Sequence, residues 1–206
     1  MKLTYAITVC NEFVEIQRLV SFLLRHKRLQ DNIVILFDEA NGDPAVEEYL
    51  RTHSLNEEFV WFKAKFENHF ANWKNKLSSL CSGDYIFQID ADEMIDEYQC
   101  KLIPEIIESN NVDVIMVPRI NTVTGLTQEH IAKWGWNVNE HGWINFPDYQ
   151  WRIYRNKCAV MWINPVHEQL TGFNTIAHLP ADKDWALTHP KTIERQEKQN
   201  NYYNTL

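Results

Sequence analysis

The sequence predicts an α/β fold: a Rossmann-like, mostly parallel sheet flanked by helices, with a small antiparallel hairpin in the C-terminal half. Three observations carry this. Through the first 120 residues, short apolar runs alternate with amphipathic helical stretches. Asn11, Asp38 and Asp90 each follow one of those runs directly. Beyond residue 120 the alternation stops, and two closely spaced strand-like runs appear at 150–156 and 159–163. Strand–helix alternation implies right-handed crossovers and a parallel sheet covered on both faces. Ligands of such sheets bind beyond the carboxyl ends of the strands, so Asn11, Asp38 and Asp90 should share one crevice.

Each element has its own justification. LTYAITVC (3–10) reads as a buried strand, and Asn11 as the cap of a helix whose Val14, Leu19, Val20 and Leu23 share a face. IVILF (33–37) is a second strand, and Pro44 suits the first turn of a helix running to about Leu50. FVWFKA (59–64), YIFQI (85–89) and VDVIMVP (112–118) read as further strands, with helices at 70–81 and 99–109. Residues 121–148 form a long, partly helical excursion. QWRIYRN and AVMWI should pair as an antiparallel hairpin across an Asn-Lys turn, and the polar tail 191–204 suits a helix.

Composition narrows the class. With 206 residues, 45% hydrophobic and 23% charged, the chain suits one globular domain spanning 1–206. A net charge of −8 weighs against a non-specific nucleic-acid binder, although Lys133, Arg152, Arg155 and Lys157 could form a local basic patch. The four cysteines show no CxxC pairing, which fits a reducing cytoplasm. The apolar start is cut short by Asn11 and Glu12, and no apolar run approaches the ~20 residues of a membrane span.

The fourth strand ends in Asp90-Ala91-Asp92-Glu93. Three carboxylates so close together repel, so a positive partner is required. Asp90 and Asp92, two apart on extended chain, point the same way. Hard oxygen ligands with room for water and phosphate suit Mn²⁺ or Mg²⁺. The plain alternative is a solvated acidic turn.

These segments resemble family 2 glycosyltransferases of GT-A fold. AITVCNE is similar to their first-strand motif, and ILFDEANGDP to their acidic second-strand motif. FANWKNKLSSLCSGDYIFQIDADE resembles their nucleotide-contacting helix and metal motif. NPVHEQL resembles the V-H-E motif of the lipopolysaccharide-core glucosyltransferase branch, and ALTHP a late histidine segment.

The resemblance implies residue roles. Residues 1–119 would bind the nucleotide sugar, and 120–206 would bind the acceptor and carry catalysis. Thr8, Cys10, Asn11 and Asp38 would line the donor site, Asp38 accepting from a uracil imide; the plain alternative for Asp38 is an Asx-type turn. Lys74, with Arg152 or Arg195, would face the diphosphate. Asp90 would touch the ribose or a metal-bound water, Asp92 would hold the metal, and His189 would complete its coordination. Glu168 would be the base, with His167 and then Glu93 as substitutes; the alternative reads Glu168 as the first turn of a helix. Trp134, Trp136 and Trp143 would wall the acceptor site, since sugar C–H faces and nucleobases both stack on indole.

The implied activity is metal-dependent, inverting transfer from a nucleotide diphosphate sugar, UDP-linked, to an acceptor hydroxyl. That acceptor is either a glycan such as a lipopolysaccharide core or a hydroxymethylated DNA base. Two alternatives compete: a non-catalytic nucleotide-sugar or carbohydrate-binding module, and a nucleotidyltransferase. The second would carry a glycine-rich, basic phosphate loop after its first strand, and VCNEFVEIQR has none.

Overall fold

The computed structural model describes residues 1–54 and 58–203. Four strand–helix units open the chain: β1 (Leu3–Val9) and α1 (Phe13–His26), β2 (Asn32–Asp38) and α2 (Pro44–His53), β3 (Val60–Ala64) and α3 (Phe70–Ser79), β4 (Tyr85–Asp90) and α4 (Glu97–Asn110). β5 (Val114–Val117) and β6 (Arg119–Thr124) follow, then α5 (Gln128–Trp134) and β7 (Gln150–Arg155). The remainder is β8 (Met161–Ile163), β9 (Gln169–Thr171), β10 (Ile176–His178), β11 (Leu187–Thr192) and α6 (Ile193–Tyr203). The expected tail helix thus begins two residues late, and its last position, Asn204, lies outside the described residues.

Seven strands form the main sheet in the order β10-β5-β7-β4-β1-β2-β3. All are parallel except β7, which runs antiparallel between β4 and β5. Two strands from beyond residue 120 therefore lie in the sheet that the first half begins. Helices α1, α2 and α4 cover one face through Leu19, Leu23, Val46, Leu50, Ile103 and Ile107. Helix α3 and the β8–β9 hairpin cover the other through Trp73, Leu77, Trp162 and Leu170. Burial of these side chains at ~25 cal/mol per Å² drives the assembly.

The hairpin differs from expectation in its pairing. β8 pairs with β9, not with the 150–156 strand. The reason lies in the side chains. Ile153 and Tyr154 are both buried and enter opposite core layers, so β7 needs cover on two faces and inserts into the main sheet. β8 buries only its middle residue, Trp162, and needs cover on one.

Two smaller corrections concern α1. Its N-cap is Glu12 rather than Asn11, and the Glu12 carboxylate accepts the N–H groups of Cys10 and Asn11. Its buried stripe is Ile16, Leu19, Val20 and Leu23, an i, i+3, i+4, i+7 set, while Val14 is exposed.

Asp113, just before β5, stitches the second half to the sheet. It accepts from Lys157 Nζ at 2.8 Å, the Asn174 N–H at 2.9 Å and Arg155 Nε at 3.1 Å. These donors lower its carboxyl from the ordinary value to about 2. A depressed folded pKa stabilises above the unfolded value near 4 and stops doing so as pH falls through the folded one. Stability should therefore drop between pH 4 and 2, and Asp113→Asn should flatten that part of a urea-unfolding series. An unchanged slope would remove Asp113 from the acid response.

Candidate active site

A cleft of about 1300 Å³ opens beyond the carboxyl ends of β1, β2 and β4. Thr8, Cys10, Asn11, Asp38, Lys74, Asp90 and Asp92 line it from the first half. Arg152, His167, Glu168, His189, Arg195 and Trp136 line it from the second. Trp134 and Trp143 do not. Trp134 stacks on His130 and packs against Trp136, with ring centroids 5.2 and 4.6 Å away, while Trp143 packs on His141 and Phe146. These two indoles support the excursion from behind, because each lies against a neighbour only a few residues away.

The acidic strand end finds its positive partners within the protein. Arg152, 2% exposed, donates from Nη2 to Asp90 Oδ2 at 2.6 Å and to Glu93 Oε1 at 2.5 Å. Arg119 donates to the same Glu93 oxygen at 3.0 Å and to Asp148 Oδ2 at 2.9 Å. Asp148 Oδ2 also accepts from Asn121 Nδ2 at 2.6 Å. Asn121 Oδ1 faces His189 Nδ1 at 2.7 Å, and His189 Nε2 lies 3.2 Å from Asp92 Oδ2. The contacts thus run unbroken from Asp90 around to Asp92. Insertion of β7 beside β4 brings Arg152 in. The parallel β6–β11 ladder sets Asn121 opposite His189, and the Met94–Thr188 bridge ties the acidic turn to β11.

The charges follow this wiring. Burial alone would raise Asp90, but Arg152, Lys74 and Arg119 outweigh it and hold the carboxyl well below its usual range. Burial likewise opposes the His189 hydrogen bond and charge and the Lys191 charge at Asp92, with the same net result. Burial lowers the Lys191 ammonium. Glu93 is fully buried between two arginines and does not line the cleft, so it is not a substitute base. Arg152 has the same kind of commitment: its Nη2 is already shared by two carboxylates. Arg195 reaches Glu15 at 2.8 Å, Glu12 at 3.1 Å and Asp92 at 3.4 Å.

Among the described residues no cluster of three or more His, Cys, Asp or Glu side chains could hold a metal by itself. The Asp92–His189 pair nevertheless fits two adjacent positions of an ion that takes its other ligands from water and phosphate. Asn121 Nδ2 is committed to Asp148, so its Oδ1 must accept the His189 Nδ1 proton. That leaves Nε2, the nitrogen beside Asp92, as the atom able to ligate.

On the opposite wall, Lys74 Nζ donates to Glu168 Oε1 and sits 4.5 Å from the centroid of the Trp162 ring. Asn75 zips α3 to β8, donating to the Trp162 carbonyl at 2.9 Å and accepting its N–H at 2.8 Å. The N-terminus of α3 is held by a Phe70 N–H to Pro165 carbonyl bond. Left-handed backbone at Asn164 (φ 75°) and His167 (φ 53°) folds the V-H-E link sharply. Glu168 precedes β9, which removes its helix first-turn alternative.

Asp38 is 4% exposed. It accepts from the N–H groups of Ala40 and Phe66 and from Asn41 Nδ2. The Cys10 thiol makes a fourth, weak contact at 4.0 Å, so of the carboxylate's roughly four acceptor positions it is this one that a further N–H donor would take over. Burial, with the charges of Glu12 and Asp38, pushes the Cys10 thiol up to about 11. The postulated basic patch loses Arg152, which is internal, and is weakened at Arg155 and Lys157, which share Asp113, while Lys133 lies over the Trp134 ring.

The sequence reading missed Arg119, Asn121, Asp148 and Lys191. Lys191 left a trace, since His189 and Lys191 alternate on one strand and both are buried.

The mostly parallel sheet, with an acidic strand end facing a polar cleft, is of GT-A type. The chain belongs to glycosyl transferase family 2, whose model matches residues 4–170. A search of curated proteins finds no match. Among solved structures, S. aureus TarS 1–349 in complex with UDP-GlcNAc is similar at TM-score 0.64 and 14% identity, covering 93% of this chain and 59% of that one. The same fragment with UDP gives 0.63 and 13%, covering 92% and 60%. At such identities the likeness shows the fold. The chain spans about 60% of the length of those structures.

Proposed function

We propose that this chain transfers a sugar, with inversion, from a UDP-linked donor to a hydroxyl of a glycan such as a lipopolysaccharide core. The single observation behind this reading is the pairing across one cleft of a family 2 acidic strand end with a carboxylate, Glu168, held by Lys74. The TarS complexes with UDP and UDP-GlcNAc support the choice of donor. Thr8, Cys10, Asn11 and Asp38 form the nucleotide pocket, with an imide N–H taking the place of the weak Cys10 thiol contact at Asp38.

Glu168 takes the proton of the acceptor hydroxyl as its oxygen attacks the anomeric carbon. The bond from that carbon to the diphosphate breaks, and UDP leaves with the electron pair. His167 is the second choice of base. Lys191 and Arg195, at the Asp92 end of the cleft, face the charge that develops on the leaving group. Asp92 and His189 would hold Mn²⁺ or Mg²⁺, which would supply further neutralisation of the diphosphate. Asp90 stays on Arg152 and orients the turn. Trp136 offers the acceptor a stacking face. The four reduced cysteines suit a cytoplasmic setting, and among the described residues no helix is long and apolar enough to cross a membrane.

The test is UDP release from UDP-GlcNAc and UDP-glucose with Mn²⁺, with and without chelator. Labelled transfer to a bacterial core oligosaccharide runs in parallel with hydroxymethylcytosine DNA. Withdrawal of Arg152 from the basic patch, together with the net charge of −8, favours the glycan. Transfer to DNA alone would overturn that choice, and no release from any sugar nucleotide by folded protein would leave a binding module. Asp92→Asn should abolish chelator-sensitive turnover while the protein still folds, at some cost in urea stability because the largely buried carboxylate pairs with His189, Lys191 and Arg195. Wild-type turnover in that variant would remove Asp92 from the metal site.

A further inference from the structure

We infer that Asp148 and Asn121 are positioning residues which fix the ring of His189 so that Nε2 faces Asp92. The argument is one of hydrogen-bond direction. Asp148 Oδ2 is an acceptor only, and it already takes two N–H groups from Arg119, at 3.0 and 2.9 Å. The Asn121 atom 2.6 Å from it must therefore be the amide nitrogen. The carbonyl oxygen of the same amide then points at His189 Nδ1 at 2.7 Å and can only accept. Nδ1 keeps its proton whether Nε2 is protonated, bare or bound.

Nothing else along this path can reverse the order. Gln150 Nε2 occupies the other Asp148 oxygen at 2.9 Å, so the carboxylate cannot rotate away without losing a bond. His189 lies opposite Asn121 in the β6–β11 register and is 7% exposed, so the ring has little freedom to flip. Partners of this kind orient imidazole ligands, and their loss typically weakens metal binding about 10–100-fold. The metal-facing consequence rests on the proposed reading of Asp92 and His189. The ring orientation itself does not.

The experiment uses the 206-residue chain with ¹⁵N-labelled histidine, and the His189 resonances among the eight histidines are assigned by loss in His189→Gln. Metal-free wild type should show a solvent-protected Nδ1–H at His189. A ring carrying a proton on Nε2 alone overturns the inference without any variant. Asn121→Leu, similar in size but lacking the acceptor, should lose that signal and bind Mn²⁺ in the presence of UDP about 10–100-fold more weakly. Asp148→Asn, whose amide no longer dictates the direction, should weaken both readouts less. A variant that loses the Nδ1 signal but keeps wild-type Mn²⁺ affinity overturns the positioning role. Wild type with the Nδ1 proton in place but no Mn²⁺ uptake would sink the metal reading and leave the orientation standing.

Discussion

Arg152→Met is expected to destabilise the fold by about 3–5 kcal/mol, the range for removing one partner of a buried ion pair. Asp90 and Glu93 converge on a single guanidinium nitrogen that is almost wholly inside the protein. Methionine fills a similar volume, so the loss reads charge and not a cavity. Glu93 would keep the Arg119 guanidinium and the Asp90 N–H, and Asp90 the Thr8 hydroxyl and the more distant Lys74 and Arg119 charges. Asp90 would then bind its proton more readily, so the deficit should shrink as pH falls toward 4. Arg152→Lys keeps the charge without the fork and should lose less. Urea unfolding at pH 7 and pH 4.5 measures all of this. A cost below about 1 kcal/mol at pH 7 would mean that the tip is neutralised elsewhere.

Glu168→Gln should lower kcat by about 10²–10⁴-fold, the range for a missing general base, with donor KM nearly unchanged. Glutamine still offers Lys74 an oxygen, so α3 and the hairpin should stay joined, and the Asn75–Trp162 bonds are untouched. What disappears is the capacity to take a proton. A collapse of donor affinity with kcat preserved would make Glu168 a binding residue and move the base to His167. Single-turnover transfer at saturating donor separates the two.

Much of the fold was legible because β1, β2 and β4 are buried on both faces and read as continuous apolar runs, while the edge strand β3 is largely exposed. The insertion of β7 was not. QWRIYR carries a buried arginine that looks, in sequence, like a solvent-facing residue, and its partners Asp90 and Glu93 lie 62 and 59 positions away. The small ladder of β6 and β11 escaped notice for a related reason. Both strands are mostly polar, with Ile120 and Val123 the apolar residues of β6 and Leu187 and Pro190 those of β11, and their pairing spans the chain from Arg119 to Leu187. The carboxylate pair, Lys74, Glu168 and His189 could be picked out by order along the chain. The side chains that orient them could not, since Asp148 and Asn121 become meaningful only once the ladder is drawn. Trp134 and Trp143 failed to reach the cleft because neighbouring rings within the excursion satisfy them first.

The circuit from Asp90 through Arg152, Glu93, Arg119, Asp148, Asn121 and His189 to Asp92 ends two residues from its start. A closed circuit has no loose terminus to swing when a guest arrives. Its geometry is settled once, as the chain folds, and need not be rebuilt at each catalytic cycle. Capture of the donor should then be governed by how fast incoming phosphates shed water, with little time spent on rearranging the pocket floor.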